Sequence, residues 1–164
     1  MDINQGCSGY IVGLNQAFML LDQPEINKVV LLNADILSTK TSKNDRNSNP
    51  IIGDGASITI VENSTSNTKI YGSVNVDGKG GEALVIPAGG FKMPSTSKTA
   101  ELKVDKSGNS RALDHLKMKG DDVFNFVQRE IPPMIENLLT RAELKKEDID
   151  YYMLHQPNKY MLKK

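Results

Sequence analysis

The chain holds a single cysteine, Cys7, set between glycines in "QGCSGY" at residues 5–10. A cysteine in the first turn of a helix meets unpaired backbone N–H groups and the positive end of the helix dipole. Both favour its thiolate. Gly6 and Gly9 permit a sharp strand-to-helix turn and close approach of a substrate backbone. The chemistry on offer is an exposed nucleophile at the end of a strand. The plainer alternative is a small buried hydrophobe, the usual state of a free cysteine. His155 ends an apolar stretch, at the kind of strand C-terminus where α/β folds gather ligand chemistry. A histidine that reaches a thiolate can act as its base or donate to a developing oxyanion. Its alternative is a histidine satisfied by loop backbone. Arg46, next to Asp45, could hold a phosphate or stand solvated. Gly53-Asp54-Gly55 reads as a plain turn, and His115 as a solvated loop residue.

The elements that must position these groups follow from periodicity. Ile11, Leu14, Phe18 and Leu21 recur at helical spacing, so a helix begins close to Cys7 or Ser8 and stops before Pro24. Residues 28–32, "KVVLL", form a continuous apolar run, which suits a strand buried on both faces of a parallel or mixed sheet. Residues 38–50 are polar and read as a surface loop, and residues 57–62 as a strand. A further strand is expected over residues 69–76, and a long irregular connection over 84–112. Helical spacing returns over 121–143 and predicts a helix kinked or broken at Pro132-Pro133. Residues 149–154, "IDYYML", read as a short strand leading to His155, with Asn158 as the N-cap of a following helix.

The totals narrow the classes. The 164 residues suffice for one buried core, with 38% hydrophobic and 24% charged residues. Lys plus Arg equals Asp plus Glu at 20 each, which gives no sign of a nucleic-acid or membrane partner. No apolar run nears the roughly 20 residues of a membrane span. A lone cysteine forms no internal disulfide, and the opening residues carry no signal-peptide pattern, so a cytoplasmic location is expected. The sequence holds no CxxC, HExxH, P-loop or dinucleotide glycine fingerprint, leaving metal and nucleotide-hydrolysis readings unsupported.

Taken in order, "GCSGY" at 6–10, "IIGDGASITIVE" at 51–62, "VNVDGKGGEALVIPAGG" at 74–90, "LKMKGDDVFNFV" at 116–127 and "IDYYMLHQPNKYML" at 149–162 resemble the beta-ketoacyl-(acyl carrier protein) synthase III family of the thiolase superfamily. The resemblance spans nearly the whole chain. It implies an α/β, thiolase-like fold present in part: the end of the first half over residues 1–66 and the start of the second over 67–164. It implies a middle fragment of a synthase about twice this length. Cys7 would accept an acyl group from acyl-CoA, and His155 would be the second member of a Cys-His-Asn triad. The triad Asn would lie in a later glycine-asparagine motif, so the fragment alone would not condense.

Malonyl-acyl carrier protein would then be the partner in a decarboxylative Claisen condensation, with no covalently bound cofactor and no metal. Arg46, Asp121 and Asn158 would contact CoA or the carrier, Leu37 would line the acyl channel, and the full-length parent would be a homodimer. Two positions depart from the family: Asp121 stands where members often have Asn, and Tyr160 where they often have Arg, with Lys159 beside it. Both bear on which donor and carrier are taken. The alternatives are a cysteine-dependent thioester hydrolase using Cys7 and His155, and a non-catalytic interaction fragment.

Overall fold

In the computed structural model, which describes residues 1–66, 68–157 and 159–163, the chain divides into two units. The first comprises Met1–Asp35 and Gly55–Asn75, the second Ile36–Asp54 and Val76–Lys164. In the first unit, helix α1 (Gly9–Leu21) lies on an antiparallel pair of strands, β1 (Lys28–Asp35) and β2 (Gly55–Glu62). The helix starts from a tight turn in which Gly9 N–H donates to Gly6 O at 2.8 Å. It ends where Asp22 and Gln23 N–H donate to Phe18 O and Leu20 O, just before Pro24.

Of the expected stripe of large residues on α1, Leu14, Phe18 and Leu21 are half-buried, but the fully buried positions are small ones. Gly13 and Ala17, four apart, are its buried residues, while Ile11 is exposed. Small residues let the helix axis come close to the sheet. A Cβ added at Gly13 would fall 2.7 Å from Leu31 Cδ1, inside van der Waals contact.

β1 alternates half-buried and exposed positions, so only one of its faces is covered. On the open face Val30 lies opposite Ile60 and Leu32 opposite Ile58. These four are 58–71% exposed. The expectation of a strand buried on both faces is therefore corrected for this chain: no described segment covers that side. The strand expected at 69–76 is absent among the described residues, because nothing pairs with it, and Ile70, Val74 and Val76 are exposed. The same holds for 149–154, which runs without ladder partners and exposes Tyr151 and Met153. An extended segment is a strand only when a neighbour takes its hydrogen bonds.

Among its described residues the second unit contains two short antiparallel strand pairings and one long helix. β3 (Leu84–Val85) pairs with β6 (Lys117–Met118), and β4 (Lys103–Val104) with β5 (Ser110–Arg111). The expected irregular connection thus carries short ladders. Helix α2 (Gly120–Ala142) runs through Pro132 and Pro133 without a break. Both prolines are exposed, and each leaves the carbonyl four residues before it without its helical N–H partner. Its half-buried positions, among them Val123, Val127, Ile131, Ile135 and Leu138, keep the helical stripe expected from spacing. The helix closes at Glu143 in the left-handed region, φ 58°, where its N–H donates to Thr140 O.

The polar segment 38–50 lies mostly at the surface, as expected, but it has a buried underside. Thr41, Ser42, Asp45 and Ser48 are buried. Asp45, 1% exposed, pairs with Arg111 Nη1 at 2.9 Å, and Arg111 also pairs with Asp105. Ser48 Oγ donates to Asp45 Oδ2 at 2.9 Å and Asn47 N–H to Oδ1 at 3.0 Å. Ser42 Oγ donates to Ser110 O, Ser110 N–H to Asn44 O, and Leu116 N–H to Lys40 O. Polar residues fill an interior here because each finds a partner. Burial alone would raise the Asp45 carboxyl; Arg111, with the Asn47 N–H and the Ser48 hydroxyl, outweighs it and holds the carboxyl below its ordinary value. Asp105 is also held low, first by the Asn109 N–H, against burial, and further by the Ser107 N–H and Arg111.

Two outcomes are expected. Gly13→Ala should destabilise the chain by about 1 kcal/mol, the overlap with Leu31 exceeding the helix-propensity gain of about 1 kcal/mol. In a Leu31→Ala background the same change should stabilise by about 1 kcal/mol. Urea denaturation of the four variants reads the reversal of sign, and the same sign in both backgrounds would refute the close approach. Arg111→Met should cost about 3–5 kcal/mol by stranding the Asp45 charge, and adding Asp45→Leu should recover most of it. Because the folded carboxyls sit below their unfolded values, their contribution is full above about pH 4 and is lost as pH falls through the folded values. The Asp45→Leu/Arg111→Met chain should accordingly lose less stability than wild type between pH 4 and the acid transition.

Candidate functional site

Cys7 lies in the turn at residues 6–8, ahead of the first residue of α1. It is exposed, unlike the buried small hydrophobe that was its alternative. Gln5 Nε2 donates to Ser8 Oγ at 2.9 Å, and Val12 N–H to Ser8 O at 3.0 Å, so the residues flanking the thiol are fixed. The first backbone N–H groups of a helix have no partners within it; in α1 that of Gly9 is taken by Gly6 O. Tyr10 and Thr59 join α1 to β2 through a hydroxyl contact of 3.4 Å. Cys7 thus has a scaffold, an opening to solvent and a helix N-terminus beside it.

The second unit brings together two of the expected contact residues. Arg46 and Asp121 line one open pocket of about 450 Å³, with Asn47, Met118 and Gly120. The wall that carries Asp121 is set by the β3–β6 pairing. Lys119 N–H donates to Ala83 O at 2.8 Å and Val123 N–H to Lys119 O at 3.1 Å, which launches α2 at Gly120. Asp121 and Asp122 stand in the first turn, where a carboxylate is favoured by the helix dipole. The opposite wall is the 42–48 segment, held by Asp45 against β5. Arg46 Nη2 donates to Ser107 O at 2.6 Å, so its guanidinium is placed, with donors and a planar face left over.

Leu37 is half-buried in the one-turn helix Leu37–Lys40. The residue that fixes this turn is Asp54. Its carboxylate accepts Ser38 N–H at 2.8 Å and Ser38 Oγ–H at 2.6 Å, and these two bonds hold it below the usual carboxylate range. The "GDG" motif is therefore more than a plain turn: its aspartate caps the segment that carries Leu37. Sequence reasoning had the motif but not its distant partner. His115 is a second correction. It is half-buried, and its Nδ1 accepts Ala112 N–H at 3.0 Å, which makes it a turn-closing residue and not a solvated one.

His155 and Gln156 are exposed in the segment after α2, and Lys159 and Tyr160 follow. Tyr160 stacks at a tilt on Phe124 of α2, ring centroids 5.7 Å apart. Asn158 lies outside the described residues. Cys7 belongs to the first unit, and Leu37, Arg46, Asp121 and His155 to the second. Among the described residues no cluster of His, Cys, Asp or Glu has the makings of a metal site, and no helix is long and apolar enough to cross a membrane.

Residues 1–86 match the 3-oxoacyl-[acyl-carrier-protein] synthase III family. The beta-ketoacyl-[acyl-carrier-protein] synthase III of Syntrophomonas wolfei is 32% identical over 163 residues, 99% of this chain and 46% of that protein. Its counterpart in Caldanaerobacter subterraneus is 35% identical over 158 residues, 96% of this chain and 45% of that protein. A crystal structure of 3-oxoacyl-(acyl-carrier-protein) synthase III superimposes with a TM-score of 0.94 at 37% identity, covering 99% of this chain and 49% of its own. The Burkholderia xenovorans enzyme does so at 0.78 and 32% identity, covering 99% and 45%. The chain spans about half the length of the curated relatives it matches, and the fold they share is a thiolase-like α/β fold, present here in part.

Asp54→Ala should abolish the slow hydrogen exchange of the Ser38 amide while amides paired between β1 and β2 keep theirs. Unchanged protection at Ser38 would show that Asp54 does not cap the turn.

Proposed function

The chain belongs to the 3-oxoacyl-[acyl-carrier-protein] synthase III family, and from that premise we propose that it is part of a condensing enzyme in which Cys7 carries the acyl group. The observation that supports this most is the exposed Cys7 in a fixed turn at the mouth of α1, inside the matched residues. The Cys7 thiolate attacks the carbonyl of an acyl-CoA thioester; a new C–S bond forms and CoA leaves as its thiolate. Backbone N–H groups at the start of α1 hold the oxyanion of the tetrahedral intermediate, the large electrostatic contribution in acyl transfer.

Malonyl-carrier protein then loses CO2. The enolate left behind is held by His155 together with an asparagine that lies outside these residues, and its carbon attacks the acyl-cysteine. The 3-oxoacyl thioester leaves on the carrier, and Cys7 is restored as a thiolate. On this reading the chain by itself does not complete condensation. Residues 1–66 are the end of the first thiolase-like half and residues 67–164 the start of the second. The apolar face of Val30, Leu32, Ile58 and Ile60 is then a face that other parts of the enzyme cover. The pocket between Arg46 and Asp121 receives the nucleotide end of the CoA donor, and Leu37 borders the acyl channel. The parent works as a cytoplasmic homodimer with acyl carrier protein as its partner, in fatty-acid or related biosynthesis, with no metal. Asn158 and Lys159 belong to the CoA or carrier side.

Incubated with a radiolabelled acyl-CoA, a full-length protein containing these residues should retain label through denaturing electrophoresis, and its Cys7→Ala form should fall at least about a hundredfold below it. Equal labelling of both forms would remove Cys7 from the reaction.

A further inference from the structure

Arg46 is held at both ends by one turn of the chain, residues 105–109. Its backbone N–H donates to Asn109 Oδ1 at 3.1 Å, and its guanidinium Nη2 donates to Ser107 O at 2.6 Å. Asn109 is 1% exposed, and its own contacts admit only one orientation of its amide. Its Nδ2 faces Asp105 Oδ2 at 3.4 Å, and its backbone N–H donates to Asp105 Oδ1 at 3.0 Å. A carboxylate only accepts and an N–H only donates, so a flipped amide would meet a mismatch at both ends. The same Asp105 Oδ1 accepts Ser107 N–H at 2.9 Å, which aims the Ser107 carbonyl. Gly108 closes the turn with φ 80°, a conformation that side chains rarely take.

The geometry points to Asn109 as a positioning residue for Arg46: with Ser107 it latches the arginine from behind, so that the remaining guanidinium donors and the planar face are presented to the pocket shared with Asp121. The inference rests on the reading of that pocket as the CoA nucleotide site. The physical gain is pre-organisation. A free arginine surrenders much side-chain freedom when it meets a ligand, and one already latched surrenders less. A lysine lacks this, because it has one nitrogen and no planar face, and so cannot be latched through one nitrogen while presenting others and a flat surface to the ligand.

The test is nuclear magnetic resonance of the isotope-labelled chain, reading the Arg46 Nε–Hε resonance and the amide shifts during titration with coenzyme A. Arg46→Ala identifies that resonance. In Asn109→Ala the resonance should shift and broaden, and coenzyme A should bind about tenfold more weakly, the worth of one buried hydrogen bond. The paired amides of β4 and β5 should stay in place. An Arg46 resonance that does not move in folded Asn109→Ala overturns the inference. Should Asn109→Ala fail to fold, Arg46→Lys, which leaves every backbone contact intact, carries the test. It is expected to bind coenzyme A about tenfold more weakly, and affinity equal to wild type overturns the latch. A wild-type chain that shows no shifts with coenzyme A sinks the donor reading of the pocket, while the Arg46 resonance still decides the role of Asn109.

Discussion

Arg111 lies between two carboxylates, Asp45 and Asp105, and the order of the second unit depends on that clasp. One partner comes from the 36–54 segment and the other from the turn between β4 and β5, so a single guanidinium joins two stretches that are distant in sequence. Asp45 is fully enclosed, and a charge so placed is tolerable only while its counter-charge and its hydrogen bonds are present. The interaction is therefore conditional. It contributes modestly when whole and costs heavily when half is missing, which makes the segment adopt one conformation. Arg46, next in sequence, inherits a fixed place from a neighbour whose own side chain touches nothing in the pocket.

The first unit solves a different problem by a different means. There the constraint is distance, and the solution is the absence of side chain. Gly13 and Ala17 bring α1 close to β1, and Cys7 sits just ahead of that helix. The thiol takes its position from a helix that the sheet grips by close contact and not by polar bonds. Hydrophobic area drives the association, while the small residues choose its geometry.

Much of this was legible in the residues. The positions of α1, β1, β2 and α2 follow from spacing and runs, and Cys7 at a helix start follows from the glycines around it. The close approach of α1 at Gly13 and Ala17 was not legible, because the pattern rule weighs large apolar residues and is blind to small ones that permit contact. The burial of Thr41, Ser42, Asp45 and Ser48 was hidden because polarity implies water unless a partner is known, and Arg111 lies far along the chain. The strands expected at 69–76 and 149–154 carry strand-like residues but lack neighbours to pair with among those described. Composition states a preference, and pairing decides it. Of the candidate site, residue types and order were readable. The convergence of Arg46 and Asp121 on one pocket, and the hold of Asp54 on Ser38, are facts of three dimensions.

The clasp also imposes an order in time. Ser42 bonds to Ser110, 68 residues on, and Arg46 to Asn109, 63 residues on. A chain emerging from the ribosome completes β2 at Glu62 and can close α1 over its two strands while Arg111 has not yet been made. Through that interval Asp45 has no cation to enter the interior with and must stay hydrated. The segment between β1 and β2 therefore hangs open as a loop until the β4–β5 turn arrives, and the loop-closure entropy of so distant a pairing makes its capture a late step. The helix that follows Cys7 can thus be seated before the wall of the pocket that carries Arg46 is closed.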